Sequence, residues 1–449
     1  MGQNLRARLL RIREQGGRAP PAIPVKPSSA GELVPPGLSG WVPAGFQALR
    51  RSLFLPFPPL PRSLPRSLPI LIPDLIRYTA DPGALTAEDL RFFDLETTGL
   101  SGGAGTVAFL AGFGRFVQGA PGMPDSRRGA QGEAPGKTGP RYRLRVDQYL
   151  LLDYPGEGDF LSALLPEFLS PPLAGPEEGL NIPSGPPLTV TYNGKTFDIP
   201  LLRTRCLMNG MIPPDIPQAD LLHPVRRLWK RLLPGCSQGE VETAVLGLDR
   251  TGDTPGALAP DIWFAFLRTG DGRDLSGICE HNVRDIAGLA RLFAALTFIA
   301  EGPLPARGTY PYDLENLALH WRRICRRTPS LQDRDLLSET GRRLLAEAAR
   351  EGHARAVFAL AGDLFRERQF TLARAYLVPM ISGEYPGYIK AVACRMLAID
   401  AEWRLRDFTA ALAYTDTALR LEDIPKSLRE DLLGRRERLL AGRGTAVET

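Results

Sequence analysis

Four carboxylates and one imidazole in this 449-residue chain lie in patterns that suit cation and proton chemistry. In the apolar run FFDLETTGL, Asp94 and Glu96 are two residues apart. A strand sends residues i and i+2 to the same face, so both carboxylates point one way. Two hard oxygen ligands at a strand end suit a hydrated Mg2+ or Mn2+, the alternative being an acidic strand end in water. In VTYNGKTFDIPLL, Asp198 falls just inside a helix that follows a strand and an Asn-Gly turn. That puts a third carboxylate at the top of the sheet, where by itself it would serve equally to stabilise a helix N-terminus. In GICEHNVRDIAGLARLF, His281 and Asp285 are four apart, hence on one helical face. Ile278, Ile286, Leu289, Leu292 and Leu296 form a core stripe beside them. An isolated pair of that kind is a helix-surface hydrogen bond; its interest lies in the company of the other acids.

Elements of an α/β domain must position these groups. From about 88 to 300, short apolar runs alternate with helical periodicity. RFFDLET and TVAFLAGFGRF read as a hairpin and YRLRVDQYLLLD as a third strand. Helices follow near Phe160–Phe168 and from Phe197, with the strand PLTVTYN between them. A short strand at Ala219–Leu222, a basic helix HPVRRLWKRLL and a long helix at about Gly277–Phe298 complete the set. The order predicts a three-stranded meander followed by parallel strands. Between the second and third strands, residues 118–140 hold 10 Gly or Pro in 23, the composition of a flexible insertion.

The flanks differ. Residues 1–80 contain 14 of the 42 prolines and 11 Lys or Arg against 3 Asp or Glu, although the net charge of the whole chain is only +5. Residues 1–87 therefore read as a proline-rich basic arm, largely disordered, able either to attract a polyanion or to act as a solubilising tail. Leu5, Leu9, Leu10 and Ile12 could make a short amphipathic helix within it. Beyond about 310 the strand signals stop. ALAGDLFRERQFTLARAYL and AIDAEWRLRDFTAALAYTD align Phe370 on Phe408, a period of 38 residues, as in stacked helix pairs. Residues 310–440 are expected to be a tetratricopeptide-like helical module, a possible seat for a protein partner, or a plain bundle packed on the α/β domain. The five cysteines are widely spaced and form no Cys-x-x-Cys pair, which argues against a zinc or disulfide framework. No apolar run is long enough to span a bilayer, so no membrane partner is expected and the cytoplasm is the default.

The three acidic motifs, in this order and context, resemble the DEDD exonuclease superfamily: DLETTGL the first motif, NGKTFD the second, HNVRD the third. The chain resembles in particular the YprB-like ribonuclease H-like family of bacterial proteins, a resemblance that takes in DLLHPVRRLW and the helical tail and covers residues 88 to 430. It implies an α/β ribonuclease H-like domain, with a mixed sheet and flanking helices, followed by an all-α repeat domain. It also implies that Asp94, Glu96, Asp198 and Asp285 hold two Mg2+ or Mn2+ ions, with His281 as general base. The activity would be hydrolysis of phosphodiester bonds in DNA or RNA, as a 3′ to 5′ exonuclease with a two-metal mechanism. The sequence departs from the His-type pattern, which places histidine five residues before the last aspartate; here the spacing is 285 − 281 = 4, that of the Tyr-type. Thr97 and Thr98 would contact the terminal nucleotide, Asn193 and Asn282 would position substrate or brace the acids, and Lys195 would touch phosphate. Asp220 and His223 are candidates to reach the site or to cap the helix that carries Arg226, Arg227, Lys230 and Arg231, a basic face suited to a phosphate backbone. The competing readings are a nucleic-acid-binding scaffold with weak turnover, an adaptor acting through the helical repeats, and an endonuclease on structured nucleic acid.

Overall fold

The structure is a computed structural model and describes residues 34–61, 63–78, 85–99, 105–118, 142–169, 186–328 and 333–445. Seven strands form one sheet: β1 (Val42–Gly45), β2 (Ala48–Pro56), β3 (Leu90–Thr97), β4 (Ala108–Gln118), β5 (Tyr142–Leu151), β6 (Leu188–Thr191) and β7 (Gln218–Asp220). Their spatial order is β1-β2-β5-β4-β3-β6-β7. The meander β3-β4-β5 is antiparallel, and β6 and β7 add to it in parallel. Parallel strands need long crossovers, and helices supply them: α1 (Glu157–Leu164) precedes β6, α2 (Asp198–Met208) joins β6 to β7, and α3 (Leu222–Trp229) leaves β7. Then come α4 (Gln238–Leu246), α5 (Ala259–Thr269) and the 27-residue α6 (Leu275–Glu301). Neither α4 nor α5 was expected from the sequence.

Residues 42–56 correct the extent of the arm. They build β1 and β2, and β2 pairs with β5 from Ala48↔Leu151 to Pro56↔Arg143. Proline density pointed the other way, but Pro43 lies on the edge strand and Pro56 ends β2, positions where a missing N–H costs the ladder little. The segment Leu5–Ile12 and, beyond Gln118, the expected insertion lie outside the described residues.

Alternation along β3 makes two cores. Phe93 and Leu95 face one side, with Phe113, Phe160, Phe168, Leu202 and Trp263. Phe92 faces the other, with Phe116, Val190 and the Ile286, Leu289 and Phe293 stripe of α6. Asp94 and Glu96 follow Phe92 by two and four residues, so their carboxylates emerge on the α6 side. Two strand glycines let α6 lie that close. A Cβ at Gly112 would collide with the Asn282 amide, and one at Gly114 would come within 2.6 Å of the Ile286 Cγ2.

The remainder is helical: α7 (Leu314–Arg327), α8 (Arg334–Arg350), α9 (Ala354–Arg366), α10 (Phe370–Ser382), α11 (Gly387–Asp400), α12 (Phe408–Leu419) and α13 (Lys426–Thr445). Each packs on the next. Phe370 opens α10 and Phe408 opens α12, and two residues ahead of each an arginine, Arg368 or Arg406, turns the chain at φ 60 or 56°. The 38-residue period is therefore a repeated corner between paired helices. The stack is not a free-standing body. One core runs from Phe92 and Phe293 through Trp229 and Trp321 to Leu360 and Leu397. Among the described residues no helix is long and apolar enough to cross a membrane.

Candidate active site

Three elements bring the acids to one end of the sheet: β3 carries Asp94 and Glu96, the first residue of α2 is Asp198, and α6 carries His281 and Asp285. The turn before α2 is shaped by Asn193, at φ 64°, and by Asp220. The Asp220 carboxylate accepts from the backbone N–H groups of Asn193 (2.8 Å), Lys195 (3.3 Å) and Leu222 (3.0 Å). Asp220 thus organises the turn and caps α3 at once.

Ligand atoms of Glu96, His281 and Asp285 all lie within 4.8 Å of one another. The His281 Nε2 is 3.3 Å from an Asp285 oxygen and 4.0 Å from Glu96. Asn282, buried beneath them, donates to Asp94 at 2.9 Å and accepts from Gln148 at 2.7 Å. The electrostatics are those of crowded acids. Burial, then the charges of Asp285, Asp198 and Glu96, holds Asp94 well above the usual carboxylate range, only partly offset by the Asn282 amide. Burial with Asp285, Asp198 and Asp253 pushes Glu96 up to about 8. Asp198 is pushed up to about 7 by burial, against hydrogen bonds from its own and the Leu95 backbone N–H. Groups so reluctant to ionise side by side are matched by a divalent cation, and oxygen donors are the ligands that Mg2+ and Mn2+ prefer. The donor set fits such an ion.

Two further residues belong here that the sequence did not single out, Arg250 and Asp253, from the loop between α4 and α5. An Asp253 oxygen lies 3.0 Å from the His281 Nδ1, although that buried nitrogen makes no hydrogen bond among the described residues, and Nε2 faces the acids. Arg284 holds the other Asp253 oxygen at 3.2 Å. Arg250 pairs with Asp285 at 2.6 Å, with Asp253 at 3.0 Å, and with the buried Glu242. The loop passes so close that a Cβ at Gly256 would sit 3.1 Å from His281 Nε2. The sequence carried no signal for this, because TGDTPGAL has no periodicity and Arg250 lies 35 residues from Asp285 in the chain.

The other predicted positions are spread around the rim. Thr97 donates to the Gly99 carbonyl and Thr98 accepts from the Val107 N–H, so both shape the end of the β3-β4 hairpin. The Asn193 side chain accepts from Thr196 at 2.6 Å. Lys195 reaches away to Asp74 at 2.5 Å, and His223 is exposed on α3.

The fold and this arrangement of acids define a ribonuclease H-like domain, and residues 178–297, which contain Asp198, His281 and Asp285, match the RNase_H superfamily. Such a domain suggests nuclease chemistry on nucleic acid. Over 242 residues the chain is 34% identical to the "Uncharacterized protein YprB" of Bacillus subtilis (strain 168), an alignment covering 53% of this chain and 49% of that protein. The chain thus spans about half the length of the curated relative it matches.

Proposed function

We propose that this protein hydrolyses phosphodiester bonds of nucleic acid as a 3′ to 5′ exonuclease, with Asp94, Glu96, Asp198 and Asp285 holding two Mg2+ or Mn2+ ions. The observation that carries this reading is the convergence of Glu96, His281 and Asp285 within 4.8 Å of one another, with the charges of Asp198 and Asp285 acting on both Asp94 and Glu96. When bound, the ions supply the positive charge that activates a water and offsets the departing oxyanion. His281 takes the water proton on Nε2, the ring nitrogen that faces Glu96 and Asp285. Asn282 keeps Asp94 aimed across the gap, with Gln148 fixing the amide orientation. Thr97 and Thr98 at the hairpin end flank the terminal nucleotide. Five free cysteines in the described residues go with a reducing, cytoplasmic location.

One observation favours a second reading, a nucleic-acid-binding scaffold with weak turnover: the Arg250 guanidinium already pairs with Asp285 and so supplies charge that an ion would otherwise bring. The deciding experiment incubates the purified protein with end-labelled single-stranded DNA and RNA in Mn2+ or Mg2+, beside an Asp94→Ala, Glu96→Ala protein. Laddering from the 3′ end that the double variant lacks is the expected result. Substrates left intact by both proteins, yet retarded on a gel, would give the scaffold reading the lead.

A further inference from the structure

We propose that the cleft between the β6-α2 turn, α3 and the first turn of α4 is a subsite for the sugar-phosphate backbone of the strand, holding a nucleotide next to the one in the acidic site. This deepens the nuclease reading and rests on it. The cleft encloses about 650 Å³ and is lined by Tyr192, Asn193, Arg226, Lys230, Cys236 and Gln238, among others. That volume falls within the range of small-ligand sites and admits a nucleotide.

What marks the cleft is the fate of the four cations in RRLWKR. Arg227 is turned inward, its Nη1 donating to the Leu71 carbonyl at 3.1 Å. Arg231 pairs with Asp313 at 3.3 Å and Glu315 at 3.1 Å. Both brace α3 against its surroundings. Arg226 and Lys230 are four apart, hence on one helical face, and both are exposed and line the cleft. Among the described residues neither has an ion-pair partner. The acids on either side in the chain are otherwise engaged: Asp220 accepts from the N–H groups of Asn193, Lys195 and Leu222, and Glu240 is folded back on Ser237, accepting from its N–H at 2.9 Å and its hydroxyl at 2.6 Å. The Tyr192 hydroxyl donates to the Cys236 carbonyl at 2.5 Å, which fixes the ring as one wall. Two cations on a rigid helix, unneutralised and walled by an aromatic ring and amides, match a phosphodiester with its sugar.

The cleft is joined to the acids. Gln238 donates to the backbone carbonyl of Asp285 at 2.7 Å, and Asn193 opens the turn that ends at Asp198. A strand whose end lies among the carboxylates can therefore continue past Gln238 onto Arg226 and Lys230.

The test is binding of fluorescein-labelled single-stranded DNA and RNA 12-mers in EDTA, where no turnover occurs, read by anisotropy against salt. The proteins are wild type, Arg226→Glu, Lys230→Glu, and a control with the same charge change on exposed cations of the helical stack, Arg327→Glu, Arg343→Glu; thermal melting checks that each is folded. The cleft reversal is expected to weaken binding about tenfold or more and to make the slope of log Kd against log salt shallower by about 1.4, two contacts at about 0.7 each. Arg226→Lys should keep affinity within about threefold. A reversal no worse than the control, or an unchanged salt slope, overturns the cleft assignment while leaving the nuclease reading intact. A wild type that binds neither strand overturns both. Displacement of the 12-mer by millimolar inorganic phosphate as readily as by unlabelled strand would reduce the cleft to a plain anion site and overturn its assignment to the strand.

Discussion

The acidic end of the sheet and the helical stack use the same side chains to opposite ends. In the stack, acids are matched by arginines: Asp363 by Arg322, Arg326 and Arg366, Asp400 by Arg374 and Arg404, Glu402 by Arg435. Burial works against ionising Asp363, yet Arg322 with Arg326 and Arg366 outweighs it and holds that carboxyl below its usual range. At the sheet end Arg250 pairs with Asp285, but Asp94, Glu96 and Asp198 crowd together and are all displaced upward. Matched charge fixes helices in place. Charge left unmatched is a standing cost to the fold, which a bound cation would repay.

The sharpest way to break this contrast is to neutralise each kind of acid. Asp94→Asn, Glu96→Gln should lose nuclease turnover by about a thousandfold or more, since it removes ligands on which the metal chemistry would depend. In metal-free buffer the same protein should melt higher than wild type, because like-charge crowding is relieved. Adding Mn2+ should raise the wild-type melting temperature and leave the variant unmoved. A variant that melts lower than wild type without metal would mean that the acids are not a cost to the fold.

Asp253→Asn should lower kcat by about tenfold to a hundredfold with KM nearly constant, because the imidazole loses the carboxylate 3.0 Å from its Nδ1. An unchanged kcat would assign Asp253 to the loop alone.

Asp363→Asn, in the stack, should destabilise by about 2 kcal/mol, since three arginines lose a shared partner. Activity per folded molecule should not change. Denaturant melts and specific activity of the remaining native fraction separate the two effects.

His320 lies where the two regions meet, its Nε2 2.6 Å from the Ile70 carbonyl, and burial, then Arg227, depresses its pKa to about 3. The unfolded chain protonates near 6.5 and the folded one does not, so stability falls as pH drops from about 6.5 toward 3. At pH 5 the loss is about 2 kcal/mol relative to pH 8. His320→Gln should flatten the stability-versus-pH curve in that window; an equally steep curve would assign the acid sensitivity to other groups.

Much of the α/β region was legible in the chain. Period-2 patterning in FFDLET and in the two strands after it gave the meander, and the stripe Ile278 to Leu296 gave the helix that covers it. β1 and β2 were not legible, because ALRRSLFLP sits in a run of prolines and only its pairing with β5 makes it a strand. Nor was the division of labour in RRLWKR. A helical wheel shows four cations, and only the docking of α7 and of the Leu68–Leu71 turn turns Arg227 and Arg231 to structural use and leaves Arg226 and Lys230 free.

By itself, then, the sequence determined which acids could act together, because strand and helix periodicity fix the face on which a residue stands. Asp94 and Glu96 share a strand face, and His281 and Asp285 share a helix face, whatever the rest of the chain does. The tertiary structure alone decided how near those faces come and what else enters between them. The missing side chains of Gly112 and Gly114 set the approach of α6 to the sheet, and an aperiodic loop delivers Arg250 and Asp253 to the imidazole and the last acid. Periodicity is a local property that a sequence displays; contacts across 30 to 190 residues are set by packing, which has no period to read.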